Sequence, residues 1–365
     1  MGLRRLSRRL FDWLRPGLRS GRSPVTRQRG PLTHVIILDG TMSTLTPGEE
    51  TNAGLSYRLL SELGAQVSLY YEAGVQWQDW RSTPDVMMGR GINRQIRRAY
   101  GYLASRYRPG DRVFLLGYSR GAYAVRSLAG VVDQVGLLRA EHATERNIQL
   151  AYRHYQSPAG SAVAEVFRTI HCHARFEIEM VGAWDTVKAL GVRLPFLWKW
   201  SEVHHAFHSH QLGPSVKHGF HALARDETRQ VFEPVLWECP NGDNDPQDDQ
   251  TAVARRVEQV WFRGTHGDIG GQLGGFDAAR PLANISLVWM LERIESCGLQ
   301  LPEGWRMRFP TDPGAPSVGT WSSWGKLFLL RKRRVIGRDP SERLHETAVE
   351  PTVASVPGWA AHLRG

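Results

Sequence analysis

Residues Gly117-Tyr-Ser-Arg-Gly121 decide the fold class of this chain because of what stands on either side of them. The preceding residues, Arg112-Val-Phe-Leu-Leu116, form a short apolar run typical of a buried strand in a parallel sheet. Residues 122–132 predict a helix. Ser119 thus stands in the strand–turn–helix context of a G-x-S-x-G nucleophile elbow. The flanking glycines allow strand and helix to pack closely, and the helix N-terminus can donate N–H groups to an oxyanion.

Apolar strands and helices alternate along the chain on both sides of this motif. The further predicted strands are 34–38, 66–71, 177–181 and 259–262, and the further predicted helices are 52–63 and 92–107. This alternation predicts an α/β fold, α/β-hydrolase-like, with a mostly parallel central sheet and helices on both faces. Ligands bind such sheets at the carboxyl ends of the strands. The polar motifs of this chain fall at those ends.

A serine nucleophile needs a base and an acid, and in this fold the acid and then the histidine follow the serine in the chain. Asp185, within Val181-Gly-Ala-Trp-Asp-Thr-Val187, comes just after a predicted strand. His266 follows the last predicted strand and is surrounded by glycines that leave room for a substrate. Ser119, Asp185 and His266 are therefore the candidate catalytic residues.

Two other aspartates and three backbone N–H groups belong to the candidate site. Asp268 and Asp226 are alternatives to Asp185 as the acid that orients the histidine, although Asp226 is expected to pair with a neighbouring arginine. The N–H of Gly40 or Thr41, after the first predicted strand, is expected to complete an oxyanion hole with the N–H of Arg120.

Positive charge is concentrated at the N-terminus. Residues 1–30 contain nine arginines and one acidic residue, which leaves the rest of the chain nearly neutral although the net charge is +10. Leu6, Leu10 and Trp13 share one face of a short basic amphipathic helix, which is typical of a segment that binds an anionic membrane surface. The alternative is a leader without a partner. Either interpretation explains the charge without a nucleic acid.

The sequence has three unpatterned cysteines, no apolar run long enough to span a bilayer and no secretory signal. These features predict a cytoplasmic protein, which would be peripheral at the inner face of the membrane if the leader binds lipid. The predicted organisation is a basic leader and linker at 1–31, a catalytic domain at 32–300 with insertions around 140–175 and 190–255, and a C-terminal extension at 301–365 that packs on or flanks the domain.

No metal and no cofactor is expected. His204 and His208 would share a helix face, but no acidic residue completes a recognised zinc motif. A metal-dependent phosphohydrolase built on Asp39 would need a second carboxylate nearby, and none is evident. The basic run Arg331-Lys-Arg-Arg334 is interpreted as a solvated surface or as one that faces lipid headgroups.

Several separated motifs together span roughly residues 34–295. They are Leu38-Asp-Gly-Thr41 with Thr51-Asn52, Gly117-Tyr-Ser-Arg-Gly-Ala122, Gly182-Ala-Trp-Asp-Thr-Val187, His221-Ala-Leu-Ala-Arg-Asp-Glu227 with Arg229, and Gly264-Thr-His-Gly-Asp-Ile-Gly-Gly271. In combination they resemble the α/β-hydrolase domain family that includes phospholipase effectors of the bacterial type VI secretion system. The resemblance implies a Ser-Asp-His esterase that cleaves a phospholipid or another acyl ester through an acyl-enzyme.

The chain departs from the pattern of this family at two points. Met42 stands where the family usually has tryptophan, and His266-Gly267-Asp268 stands where it more often has His-Ser-Asp. Neither change removes a catalytic atom, but both alter the surroundings of the pocket. The alternative function is a catalytically inactive α/β-hydrolase scaffold that acts as a membrane-associated binding protein. The intact serine, aspartate and histidine favour the enzyme.

Overall fold

A parallel sheet of seven strands, ordered β2-β1-β3-β4-β5-β6-β7, is the centre of the fold. The computed structural model describes residues 29–74, 90–157, 160–187, 211–239, 256–321 and 330–349. The strands are β1 (Thr33–Leu38), β2 (Val67–Glu72), β3 (Arg112–Tyr118), β4 (Ile178–Trp184), β5 (Val216–Ala224), β6 (Val257–Phe262) and β7 (Glu342–Leu344). All described strand pairs are parallel, which confirms the predicted fold class.

Helices cover both faces of the sheet. They are α1 (Asn52–Ser61), α2 (Arg90–Arg106), α3 (Arg120–Val135), α4 (Glu145–Gln156), α5 (Ala162–His171), α6 (His266–Gly270) and α7 (Arg280–Ser296). Successive strand residues point to opposite faces. Ile36 and Leu38 of β1 therefore pack in the core beneath α2 and α3, whereas Val35 and Ile37 pack in a second core beneath α1 and α7.

Two strands were not predicted from the sequence. Residues 190–255 are expected to form an insertion, but they contain β5, which lies in the sheet between β4 and β6. Lys217, His218 and Gly219 interrupt the apolar pattern of β5, so it does not resemble a buried strand in the sequence. The short strand β7 belongs to the C-terminal extension and pairs with β6, so this part of the extension joins the sheet.

The strand order reverses between β1 and β3. The chain passes from β1 outward to β2 and then returns to β3 on the other side of β1. The connections that follow β1 and β3 therefore run in opposite directions at the carboxyl edge, and open α/β sheets bind ligands in the crevice at such a switch point. This crevice lies between the loop after β1 and the turn at Ser119.

Some expectations fall outside the described residues, namely the amphipathic helix within residues 1–28 and the histidines at 204 and 208. Within the ranges that the structure describes, no helix is long and apolar enough to cross a bilayer. The same ranges hold no group of three or more histidine, cysteine or acidic side chains arranged for a metal ion.

Candidate active site

Ser119 lies in a sharp turn between β3 and α3. Its backbone has φ 57° and ψ −119°, a conformation that is unfavourable for a residue with a side chain and that is found at strained functional turns. Glycines make the turn possible: a Cβ atom on Gly121 would lie 2.0 Å from the carbonyl oxygen of Leu38, and one on Gly117 would lie 2.6 Å from that of Gly121. Strand and helix thus approach at a distance that only glycine permits.

His266 joins Ser119 to Asp185. Its Nε2 lies 2.9 Å from Oγ of Ser119, and its Nδ1 lies 2.6 Å from Oδ2 of Asp185. The three side chains come from the ends of β3, β4 and β6, and all three are buried. The structure therefore brings the three candidate catalytic residues into one hydrogen-bonded chain at the carboxyl edge of the sheet.

The ionisation of Asp185 determines which nitrogen of His266 carries the proton. Complete burial would raise the pKa of Asp185, but the charge of Arg334 and hydrogen bonds from His266 and Arg334 outweigh burial and hold it well below its usual range. The ionised carboxylate can only accept hydrogen bonds. Neutral His266 therefore carries its proton on Nδ1 and leaves Nε2 as the acceptor that faces Ser119.

Arg334 is a residue of this site that the sequence did not reveal. Its Nη1 donates to Oδ1 of Asp185 at 2.6 Å and its Nη2 donates to Oδ2 at 2.9 Å. The backbone N–H of Ala224 donates to the same Oδ1 at 3.0 Å. The basic run 331–334 is expected to lie on the surface, but the side chain of Arg334 is only 4% exposed. The surface interpretation is therefore wrong for this arginine.

The two alternative acids have other partners. Asp268 accepts hydrogen bonds from Thr265 in a capping box at the start of α6 and from the backbone N–H of Val318. Asp226 accepts from Arg225 at 2.7 Å and from the N–H of Gly264 at 2.7 Å. Both carboxylates hold loops in place, and it is Asp185 that contacts the His266 ring.

Aromatic rings and a buried ion pair fix the position of His266. Phe232 stacks on the imidazole with a centroid distance of 4.5 Å and an interplanar angle of 11°, and Tyr118 contacts it at 5.0 Å. The backbone N–H of His266 donates to Glu227 at 3.1 Å. Glu227 is itself paired with Arg229. Rotation of the imidazole away from the serine would break the ring contacts with Phe232 and Tyr118.

Of the three backbone N–H groups expected to form the oxyanion hole, one is already used within its own loop. The N–H of Gly40 donates to Oδ1 of Asp39 at 2.6 Å and is therefore already paired. The N–H groups of Thr41 and Arg120 have no acceptor among the residues that the structure describes. A Cβ atom on Gly40 would lie 3.4 Å from Cβ of Ser119, so the loop after β1 runs beside the nucleophile.

Asp39 holds this loop through its second oxygen. Oδ2 accepts from the hydroxyl of Thr51 at 2.6 Å and from that of Tyr71 at 2.7 Å. The next residue, Asn52, donates at 3.0 Å to the carbonyl oxygen of Ile269 in the helix that begins at His266. The motif Thr51-Asn52 thus links the candidate oxyanion loop to the element that carries the histidine.

His221 supports the loop that carries Asp185. The backbone N–H of Thr186 donates to its Nε2 at 3.0 Å, and its Nδ1 lies 3.3 Å from Oε1 of Gln259. Burial lowers the pKa of His221 to about 3, so the ring is neutral at physiological pH. It supports the backbone next to Asp185, and among the described residues it forms no hydrogen bond with Ser119 or His266.

A parallel sheet with this strand order and a serine elbow beside a histidine defines an α/β-hydrolase-like protein. Residues 33–293 match the model of the family described as the type VI secretion system phospholipase effector Tle1-like catalytic domain. The match covers more than half of the chain, and the chain therefore belongs to this family.

The individual proteins that resemble this chain share only a low sequence identity with it. An uncharacterised protein of Saccharomyces cerevisiae is 26% identical over 230 residues, which is 56% of this chain and 32% of that protein. A crystal structure of an uncharacterised Pseudomonas aeruginosa protein aligns with a TM-score of 0.43 and 13% identity over 84% of this chain and 51% of that one. A Tle1 effector bound to the VgrG spike aligns with a TM-score of 0.31 and 17% identity over 67% of this chain and 51% of that one. The chain thus spans about a third of the yeast relative and about half of each solved chain.

Proposed function

We propose that this protein is a serine hydrolase that cleaves an acyl ester of a lipid, in particular a phospholipid, through an acyl-enzyme on Ser119. The observation that carries the proposal is the hydrogen-bonded chain from Asp185 through His266 to the serine hydroxyl, at the crevice of the sheet. Membership of a phospholipase effector family supports the lipid substrate.

In the first half of the proposed reaction, Oγ of Ser119 attacks the ester carbonyl carbon while Nε2 of His266 takes the hydroxyl proton. Asp185 stabilises the resulting imidazolium through the hydrogen bond to Nδ1. The carbonyl oxygen becomes an oxyanion, which accepts from the N–H groups of Thr41 and Arg120. When the tetrahedral intermediate collapses, His266 gives its proton to the leaving alcohol, and the acyl group remains on the serine.

The second half repeats these proton transfers with water. His266 takes a proton from a water molecule, whose oxygen attacks the acyl carbon. Collapse of the second intermediate breaks the bond to Oγ of Ser119 and releases the fatty acid, while His266 returns the proton to the serine. In both halves Nε2 of His266 takes up the proton and releases it again, so the enzyme returns to its starting state without a cofactor.

Release of fatty acid from phospholipid vesicles tests this proposal. We expect Ser119→Ala to lower kcat by about 10⁴-fold or more while the protein stays folded, because the acyl-enzyme cannot form. Ser127→Ala is the matched control, since Ser127 is a buried serine of helix α3, which begins directly after Ser119, and this variant should retain activity. Equal turnover by the Ser119 variant and the parent would rule out the nucleophile. A parent protein that binds vesicles without releasing fatty acid would favour the inactive scaffold.

We further propose that the enzyme works at an anionic membrane surface, from the cytoplasmic side, through residues 1–30. Each basic residue near such a surface contributes about 1 kcal/mol at low salt. Replacing Arg4, Arg5, Arg8 and Arg9 with glutamine should therefore reduce sedimentation with phosphatidylglycerol vesicles. Replacement of the same four residues with lysine keeps the charge and should preserve binding. Equal binding by the two variants would exclude this electrostatic role.

A further inference from the structure

The guanidinium of Arg334 makes four hydrogen bonds in a buried position. Two go to the two oxygens of Asp185, one goes to the carbonyl oxygen of Ala224 at 2.8 Å and one goes to that of Phe232 at 2.5 Å. A fork of this kind fixes a carboxylate in both position and plane, which a lysine ammonium cannot do. Arg334 lies beyond residues 33–293, so the family match does not include it.

These contacts link the acid to the base by a second route. Phe232, whose carbonyl oxygen accepts from Arg334, is also the ring that stacks on His266. One side chain therefore holds the carboxylate that accepts from Nδ1 and anchors the backbone of the ring that covers the imidazole. A residue that only packed against the end of β5 would not need to contact both the carboxylate of Asp185 and the backbone of Phe232.

We propose that Arg334 is a positioning residue of the catalytic site, which holds the carboxylate of Asp185 in the plane of the His266 imidazole. The inference rests on the proposed function, because it assigns a role within the same hydrolytic site. It also means that the site of this chain is complete only with a residue from the C-terminal extension.

The other titratable groups near the pair do not replace the cation of Arg334. Glu227 faces the backbone of His266, but its charge is matched by Arg229. Burial raises the pKa of Tyr118 well above its ordinary value, so this phenol is neutral. His221 is neutral as well. Removal of Arg334 would therefore change the net charge around Asp185 from nearly zero to negative.

Activity and NMR of the full-length protein test the positioning role. In Arg334→Gln we expect kcat to fall by about tenfold or more while KM changes little, because the carboxylate is no longer held in the plane of the imidazole. The NMR signal of the Nδ1–H proton of His266, assigned through His266→Gln, should be weaker in this variant than in the parent, because its hydrogen bond to Asp185 is no longer fixed. Arg333→Gln is the matched control: it removes one charge from an exposed residue of the same run and should change neither measurement.

Arg334→Lys separates geometry from charge. The positive charge remains but the fork is lost, so kcat should still fall by about tenfold. Full kcat in Arg334→Lys, or parental kcat and an unchanged Nδ1–H signal in folded Arg334→Gln, would overturn the proposal. If Arg334→Gln does not fold, kcat of the lysine variant still decides the positioning role. If the parent has no hydrolase activity, the proposed function fails, whereas the Nδ1–H signal of His266 still tests whether Arg334 fixes the carboxylate.

Discussion

The elbow that carries Ser119 and the loop that carries Asp185 follow neighbouring strands, and both residues have a positive φ, 57° for Ser119 and 42° for Asp185. They are stabilised in different ways. The elbow depends on close backbone packing around Gly117 and Gly121. Asp185 depends on partners far away in the chain: His266 is 81 positions away and Arg334 is 149 positions away. The sequence signal of the elbow therefore lies within a few residues, although Gly121 packs against Leu38 of β1, whereas the environment of the acid is assembled by the whole fold.

The largest expected difference between the two regions is in the loss of stability when Asp185 or Ser119 is replaced. Asp185→Asn should lower kcat by about 10⁴-fold because the favoured tautomer of His266 is lost. It should also lower the free energy of unfolding by about 3–5 kcal/mol, because Arg334 remains as a buried charge without its anion. Ser119→Ala should lose activity but change stability by less than about 1 kcal/mol. Denaturant unfolding and ester turnover of both variants provide the comparison.

Equal stability of these two variants would show that the ion pair between Asp185 and Arg334 contributes little to folding. In that case the contrast between the elbow and the acid loop would be limited to catalysis. Asp268→Asn is a useful reference, because it removes a buried carboxylate that does not contact His266. Asp268→Asn should destabilise α6 because the cap is lost, but it should leave the tautomer of His266 unchanged.

A smaller effect is expected where the elbow is crowded. A methyl group at Gly121 would meet the backbone oxygen of Leu38, which cannot move without shifting β1, so Gly121→Ala should cost about 3 kcal/mol. Gly130 lies in the same helix, and a methyl group there would meet only the side chain of Tyr155, at 3.2 Å. Gly130→Ala should therefore be nearly neutral. Similar unfolding midpoints for the two variants would mean that the close approach of strand and helix is not required.

The smallest expected effect is a change in how the free energy of unfolding depends on pH, caused by the carboxyl group of Glu227. Burial would raise the pKa of Glu227, but Arg229 outweighs it and holds this pKa below its ordinary value of 4.5. A carboxylate with a depressed pKa in the folded state stabilises the protein above its unfolded pKa, and this contribution is lost as the pH falls through the folded pKa.

Glu227→Gln should accordingly flatten the fall in stability below pH 4.5 by up to about 1.4 kcal/mol per pH unit, the equivalent of one proton. Unfolding curves at several pH values between 5 and 3 measure this slope. Glu303→Gln, at an exposed position, should leave it unchanged. Parallel slopes in the parent and in Glu227→Gln would show that the ion pair with Arg229 does not depress the pKa.

The sequence predicted the locally encoded parts of the molecule well. An apolar run followed by Gly117-Tyr-Ser-Arg-Gly121 indicates strand, elbow and helix because these sequence signals lie within a few residues of one another. The parallel sheet follows from the alternation of strands and helices along the chain. The strand β5 was missed because Lys217, His218 and Gly219 interrupt its apolar pattern. In addition, its buried polar residue His221 has hydrogen-bond partners, Thr186 and Gln259, that are distant in the chain. Burial of a polar residue cannot be inferred without its partners.

The basic run in the C-terminal extension shows the same limit. Arg331 donates to the carbonyl oxygen of Thr320 and lies over the ring of Trp321, Lys332 and Arg333 are exposed, and Arg334 is buried against Asp185. Four neighbouring cations thus have different environments, which their shared charge does not distinguish. The order of serine, aspartate and histidine could be predicted, whereas the arginine that fixes the aspartate required the tertiary structure.

The identity of the nucleophile is tested most directly by labelling the parent protein with a fluorophosphonate and locating the adduct by mass spectrometry after tryptic digestion. The account predicts one adduct, on Ser119 in the peptide Val113–Arg120, and strongly reduced labelling in His266→Gln because the base that activates the serine is absent. An adduct on another residue, or labelling of Ser119 at the parental rate without His266, would contradict the account.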